Sequence, residues 1–538
     1  MDHWMRSSIT NHYKSSITAL ALGILLALPG CLPALRAPLP AQRPPQDFVL
    51  PPGFEGANRA ENSALLPARE FFSDPKLTSL IDQALAGNLQ LKILFEDIQI
   101  ADNEVMRRRG AYLPFFSLGT SAALRKLSLY TLEGSDTYSN SIPGFPPPLP
   151  GTITHTFPNP LGNFIVPSVN ISWQIDIWRQ LRNARDAQAQ RWMGATDARN
   201  YFVTRVVAQI ADNYYTLMAL DARMENLNNV IALQEQSLRI AEARMAAARS
   251  TALGVQRFLA EVRKNQSEKR ILSQQMIEIE NRINFLVGRY PQRVERNSAG
   301  FIDLNPPRLS VGVPPQLLQN RPDIRQAERE LQAAGLDIRV ARADFFPKLV
   351  LTGGVGYESY NAKYFFLTPQ TLLYNVAGGL VAPLINRNAI KADYQNANAR
   401  QLQALYDYQR VILNAFTEVV NQVNGVQNYT TSIGLKRQQV QALERSVDIA
   451  TNLFQNARVE YIDVLFAQRD MWQGRRDLID TKQQQLSAIV NAYQALGGGW
   501  QVGAAGPAQP AAGGPSSPPK FELLPPPKRE EPLPPPGK

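Results

Sequence analysis

Ser168-Val169-Asn170-Ile171-Ser172-Trp173-Gln174-Ile175-Asp176-Ile177-Trp178 opens a stretch that reaches Tyr290 without a proline, in a chain that holds 40 prolines. Its first residues alternate: Val169, Ile171, Trp173, Ile175 and Ile177 against Ser168, Asn170, Ser172, Gln174 and Asp176. Period two with a polar second face fits a lipid-facing strand of a water-filled barrel, and equally a half-buried strand of a soluble sheet. The residues that follow read as helix, with Leu238, Ala241, Met245 and Ala248 in heptad spacing. A second proline-free run, Leu384 to Gly506, carries Val440, Leu443, Val447, Ala450 and Phe454 in the same spacing. Helices from Trp178 to Ala248 and from Asn386 to Ala457 would each be about 105 Å long at about 1.5 Å per residue. That length suits a tube or a stalk. Ordinary helices broken at Gly194 and Gly425 are the alternative.

Outward from these runs, the chain repeats a plan. A helix from the Ser73 or Asp74 cap through Leu80, Leu91 and Val105 to Arg109 precedes a strand, 115–125. A loop over 127–163 leads to the strand 168–177. The long helix breaks at Ala248–Gly254, and a return helix covers Val255 to Val287. The second copy has a helix from Arg325 to Ala343, strands 349–360 and 374–384, the second long helix, a break near Ala457–Asp463 and a return helix ending at Gly497-Gly498-Gly499-Trp500. Ala248-Arg249 followed by Leu253-Gly254-Val255 parallels Ala457-Arg458 followed by Ile462-Asp463-Val464. The expected divisions are 1–30, 31–65, 66–300, 301–502 and 503–538. The last is rich in proline and charge and lacks the apolar content of a packed core.

Arg6 and Lys14 precede an apolar stretch from Ile17 to Leu28, and Leu28-Pro29-Gly30 leads into Cys31, the chain's single cysteine. This is a secretory leader over 1–30, with its cut placed before a lone thiol. Beyond it the sole histidine is His155, which argues against zinc, haem and Ser–His–Asp or Cys–His chemistry. No cofactor is expected from these residues. The net charge of +10 is spread along helix faces among acidic residues, so no nucleic-acid partner is expected. Arg475-Arg476-Asp477 and Glu261-Val262-Arg263-Lys264 read as solvated helix faces with pairing within each helix.

Four strands cannot close a barrel, and open edges cannot face lipid. If these are membrane strands, several chains must therefore close one barrel together. At this point the sequence resembles the TolC-type outer-membrane efflux channels, in the lipoprotein branch that serves RND multidrug pumps. The resemblance covers about residues 66–500. Its most specific part is Val311-Gly312-Val313-Pro314 through Asn320-Arg321-Pro322-Asp323-Ile324-Arg325-Gln326-Ala327-Glu328, then Ala341-Arg342-Ala343-Asp344-Phe345-Phe346-Pro347. Phe72-Ser73-Asp74-Pro75, Ser172-Trp173-Gln174-Ile175-Asp176-Ile177-Trp178, Ala467-Gln468-Arg469-Asp470 and Ala495-Leu496-Gly497-Gly498-Gly499-Trp500 add to it. Leu28-Pro29-Gly30-Cys31 resembles a lipobox, which implies acylation at Cys31 and, with Leu32 next, the outer membrane.

The resemblance implies a mainly α fold with a small β part. It implies a homotrimer with a twelve-stranded outer-membrane barrel and an α-helical barrel in the periplasm. Its partners would be outer-membrane lipid, a periplasmic adaptor and an inner-membrane RND pump. Its role would be a passive conduit for drugs or small solutes, without enzymatic chemistry. The periplasmic gate would involve Asp463, with Glu460, Tyr461, Arg458 and Arg249 beside it. Asp463 as a plain helix cap is the simpler reading. Gly254 stands where the family's first copy often has a carboxylate, so the second copy would carry most of the closure. A same-fold channel for protein or metal-ion export, or a coiled-coil lipoprotein without a pore, remain as alternatives.

Overall fold

The computed structural model describes residues 33–39, 45, 47, 48, 61–128, 131, 160–247, 251–382, 388–456 and 458–501. The leader, Cys31, Ala248, Arg249, Ala457, most of the 127–163 loop, Pro383-Leu384-Ile385 and the tail 503–538 lie outside them.

Seven helices and four strands carry the described fold. Helix α1 (Pro75–Gly87) starts where Asp74 accepts from the Lys76 N–H with Pro75 in the first turn. Helix α2 (Leu89–Gly110) follows it. The sequence reading had one helix here. It breaks because the Asn88 side chain accepts from Leu91 N–H to start α2, while its Nδ2 donates to the Leu286 carbonyl at 2.7 Å. Strands β1 (Phe115–Arg125) and β2 (Leu161–Ile175) come next. Strand β2 starts seven residues before the expected Ser168, inside the segment read as loop. A register shift between Ile165 and Ser168 hides the link, because Val166-Pro167 interrupts both the alternation and the ladder there.

Helix α3 (Gln180–Ala246) has 67 residues, about 100 Å of helix, and the return helix α4 (Ala252–Val287) folds back along it. The second copy supplies α5 (Pro322–Ala343), β3 (Lys348–Ser359), β4 (Leu372–Val381), α6 (Asn388–Gln455) and the return helix α7 (Tyr461–Ala495). Gly194 and Gly425 lie inside unbroken helices.

The strands form one antiparallel sheet in the order β1-β2-β3-β4. Below it α2, α3, α5 and α6 stand side by side, and further down the set becomes α4, α3, α7 and α6. Each return helix therefore ends beneath a shorter helix, so four helices per chain persist along the wall. The two joints are equivalent. At the first, a Cβ on Gly87 would lie 2.5 Å from the Val287 carbonyl oxygen, and Gly288 takes φ +82. At the second, Gly497 takes φ +91, with the Asn320 oxygen 2.6 Å from where its Cβ would be.

Arg321, 2% exposed, donates to Ala495 O at 2.8 Å, to Asp323 at 2.6 Å and to Glu418 at 2.8 Å. Trp500 Nε1 donates to Asn320 O at 2.9 Å. The Asn320-Arg321-Pro322-Asp323 and Gly497–Trp500 segments thus hold one another. Burial alone would pull the Arg321 guanidinium down, but Asp323 and Glu418 more than offset it and its pKa is raised.

The main core surrounds these joints. Phe71 stacks on Tyr493 with centroids 4.1 Å apart, and Tyr493 donates to Leu66 O at 2.7 Å. Tyr214 donates to Asp74 at 2.6 Å, which accounts for the Phe72-Ser73-Asp74-Pro75 segment. Desolvation, with the neighbouring Asp74 carboxylate, pushes the Tyr214 phenol up.

Candidate channel lining and periplasmic tip

Cross-strand partners share a face, so the register sorts the sheet. One face carries Phe116 and Leu118 on β1, Val169, Ile171, Trp173 and Ile175 on β2, Leu349, Leu351 and Val355 on β3, and Tyr374, Val376 and Leu380 on β4. Several of these are bare, including Leu118 at 75% and Val376 at 86% exposure. The other face is mostly small and polar, with Phe115, Val350, Leu373 and Val381 as its large apolar members. Ser117, Asn170, Gly354 and Asn375 form one row; Gly119, Ser168 and Gly356 lie in the next; Ser172 and Thr352 lie on its other side. An apolar sheet face left in water is unstable, and a polar one in lipid is worse. The arrangement suits a sheet with lipid on one side and water on the other.

The strand-to-helix junction is tied tightly. Asp176 accepts from the N–H groups of Leu181 and Arg182, both at 3.0 Å, and from Arg182 Nε at 3.1 Å. Its carboxylate satisfies the first turn of α3 and sits at the positive end of the helix dipole. Trp178 Nε1 donates to Pro347 O at 2.8 Å and its ring stacks on Phe346 at 4.7 Å, which joins β2–α3 to α5–β3.

At the far end the two hairpins turn. Thr251 caps α4 by accepting from Gly254 N–H at 3.4 Å. Glu460 occupies the cap position of α7 and makes no side-chain capping bond. Asp463 is therefore not the cap, contrary to the simpler reading. It is exposed in the first turn of α7, where the helix dipole favours a carboxylate. Gly254 holds the same place in α4.

Arg458 is exposed and its N–H bonds Leu453 O at 2.9 Å. Tyr461 opens α7, and Arg249 lies outside the described residues. Glu460 lines a cleft of about 450 Å³ with Arg244, Arg257 and Phe454, in which Arg244 stacks over the Phe454 ring at 4.1 Å. Beside it Ala241, Val255 and Phe258 pack with Leu238 and Leu465, so α7 leans on the α3/α4 hairpin. Sequence reasoning missed Arg244. Its one signal is its position in the last turn of α3, three residues after the heptad position Ala241.

One of the two exposed charged runs differs from expectation. Lys264 pairs with Glu261 within α4, but Arg475 pairs with Glu444 across the α6/α7 hairpin and Arg476 with Glu268 on α4.

Residues 80–289 and 313–498 match the family described as outer membrane efflux protein. The chain belongs to the outer membrane efflux protein family. It is similar to the cation efflux system protein CusC of Escherichia coli O6:H1, 26% identical over 478 residues, with 89% of this chain and 98% of that protein covered. It is 29% identical over 465 residues to the pyoverdine export outer membrane protein OpmQ of Pseudomonas putida, covering 85% and 94%. Among solved structures, the outer-membrane channel OprN superposes with a TM-score of 0.74 at 21% identity, covering 88% of this chain and 99% of that one. The Neisseria gonorrhoeae MtrE outer membrane channel superposes at 0.71 and 20%, covering 86% and 99%. Members of the outer membrane efflux protein family are outer-membrane channels of efflux systems, and this chain is one of them.

Proposed function

We propose that three copies of this chain close one twelve-stranded barrel and serve as the passive outer-membrane exit of a tripartite RND-type system for drugs or other small solutes. One observation carries the reading: a four-stranded sheet with two free edges, apolar on one face and polar on the other. Each free strand edge in hydrocarbon costs several kcal/mol per unpaired backbone group. Pairing β4 of one copy with β1 of the next removes every such edge. The polar rows of Ser, Asn, Thr and Gly then line water, with no side chain that binds one cargo tightly. Cargo selection belongs to the pump, and the adaptor joins pump to channel.

Chain direction supports an anchor at Cys31. Phe48 stacks on Phe416 at 5.3 Å, and Arg36 N–H bonds the Asn398 side chain at 2.9 Å. Arg36 thus lies nearer than Phe48 to the barrel end of α6. Asn398 lies about 15 Å of helix below Asn388, where α6 begins. The residues from Arg36 back to Cys31 span at most about 17 Å when extended. An acyl chain on Cys31 would enter the periplasmic leaflet beside the barrel.

The test is the mass of the detergent-purified protein together with conductance in planar bilayers. A trimer that conducts is expected. A monomer without conductance would replace the channel with a coiled-coil lipoprotein lacking a pore.

A further inference from the structure

Just below the sheet, α3 and α5 leave a groove of about 390 Å³ between them. Trp178, Arg179, Asn183 and Asp186 line one wall, and Leu336, Arg339, Arg342 and Phe346 the other. Arg179, Arg339 and Arg342 are all exposed, and Trp178 is 46% exposed above them. The carboxylates nearby are engaged elsewhere: Asp176 with Arg182, Asp186 with Arg185, Asp344 with Lys348. Among the described residues, none of the three groove arginines has a carboxylate within ion-pair distance. Arg179 also holds a left-handed backbone, φ 57, at the turn from strand to helix. That conformation is uncommon for a residue with a Cβ.

The side of the wall on which this groove opens can be worked out. Glu358 N–H bonds Thr371 O, so the even-numbered residues of β3 aim their backbone groups at β4 and the odd-numbered ones at β2. The odd residues are the apolar, lipid-facing set. With L-amino acids and β3 running away from the periplasm, β2 and α3 then lie to the right of β3 and α5, seen from the lipid. Helix α5 turns by about 100° per residue. Its faces toward α3 and α6 leave Leu336, Arg339 and Arg342 on the outer side. Glu330 and Asp337, both paired with Arg191, fall on the lumen side. Applying the same rotation to α3 puts Arg179 and Asn183 outside as well.

We infer that this groove seats the phosphate of an anionic glycerophospholipid from the periplasmic leaflet of the outer membrane. The guanidinium forks of Arg179, Arg339 and Arg342 match phosphate oxygens, and Trp178 sits at the depth where indoles lie in membrane interfaces. The acyl chains would run up the apolar sheet face toward Trp173 and Leu351. Phosphatidylglycerol is favoured over phosphatidylethanolamine, because the one carboxylate lining the groove, Asp186, is already paired with Arg185. The groove lies within one chain, away from the β1 and β4 edges, so trimer closure leaves it open. The inference rests on the apolar face being the lipid face, as the channel reading requires.

The experiment uses the full-length trimer, delipidated, then incubated with equal amounts of dioleoyl phosphatidylglycerol and dioleoyl phosphatidylethanolamine. Retained lipid per trimer is counted by native mass spectrometry. Wild type should retain phosphatidylglycerol in preference, and inorganic phosphate should not displace it. Arg179→Gln/Arg339→Gln/Arg342→Gln should lose that preference, by about fivefold per arginine near an anionic lipid surface. Lys92→Gln/Arg270→Gln/Arg410→Gln, which removes as much charge elsewhere, should keep it. Arg339→Gln/Arg342→Gln, which spares the strand-to-helix turn, covers the case in which the triple variant fails to assemble.

Trimer mass and conductance are checked first on each protein, so loss of the channel and loss of the lipid site are read separately. Equal retention of the two lipids by wild type, equal retention by wild type and the groove variants, or displacement by inorganic phosphate would each overturn the assignment.

Discussion

Lys482 holds its ammonium where little water reaches, at 4% exposure, with Leu304 O at 2.7 Å and Gln485 Oε1 at 3.0 Å. Burial and the nearby Arg437 pull its pKa down to about 8, against a smaller upward pull from Asp303. In the unfolded chain the lysine stays charged to about pH 10.4. Between those values the unfolded state binds the extra proton, so stability rises with pH. The unfolding free energy of wild type relative to Lys482→Met, read from melting curves, should therefore climb from pH 8 to pH 10, at up to about 1.4 kcal/mol per pH unit. A flat difference would mean that the amine titrates normally.

Asp463 is a second residue with a separable effect. It is exposed at the start of α7, beside the Glu460 that lines the tip cleft. If three copies of Asp463 ring the pore, they repel one another and attract cations. Asp463→Ala should then lower cation selectivity in planar bilayers and alter drug susceptibility in cells. No change in either removes Asp463 from the gate. Neither residue can be weighed from sequence alone: Lys482 looks like one more helix lysine, and Asp463 like one more helix cap.

The two end-to-end joints are what let four helices per chain run the length of the wall. Both depend on a glycine in the left-handed region pressed against a carbonyl. A Cβ on Gly288 would sit 2.4 Å from Gly87 O, and one on Gly497 would sit 2.6 Å from Asn320 O. Gly288→Ala and Gly497→Ala should each cost about 2 kcal/mol or more, from left-handed strain plus overlap. Gly110→Ala, with nothing within 4 Å of the new Cβ, should be neutral. Thermal unfolding of the three purified variants gives the comparison, and unchanged melting at 288 and 497 would make the joints incidental.

At this scale the sequence was informative where the pattern is local. The heptads, the alternation in β2 and β3, and the duplicated order of elements are all short-range periodicities. The break at Asn88 was missed: its local cap is a weak signal inside an apolar helical pattern, and the Leu286 carbonyl that fixes it lies far along the chain. The first half of β2 was not legible either, because Val166-Pro167 interrupts the period inside a strand that continues. The tip was legible only in part. The matching Arg-x-x-x pattern located both turns, but the contact of Arg244 with Phe454 joins two hairpins that no local pattern links.

For the whole molecule, the decisive feature is the free edge of β4. Because Glu358 N–H bonds Thr371 O, the register makes Thr352 and Ala377 a hydrogen-bonded pair and Gly353 and Val376 a non-bonded one. The N–H of Val376 therefore points away from β3, toward whatever stands at the edge. Val376→Pro removes that donor while keeping an apolar side chain on the lipid face and leaving the β3–β4 ladder whole. In a closed trimer it deletes one bond in each of the three seams, so trimers should dissociate at lower temperature in detergent than those of Val376→Ala, which retains the N–H. Ala377→Pro instead deletes a bond inside the chain's own sheet and should reduce the yield of folded protein in the outer membrane. If Val376→Pro and Val376→Ala dissociate alike, β4 does not donate to a neighbour at this position, and closure by β4 against β1 fails with it.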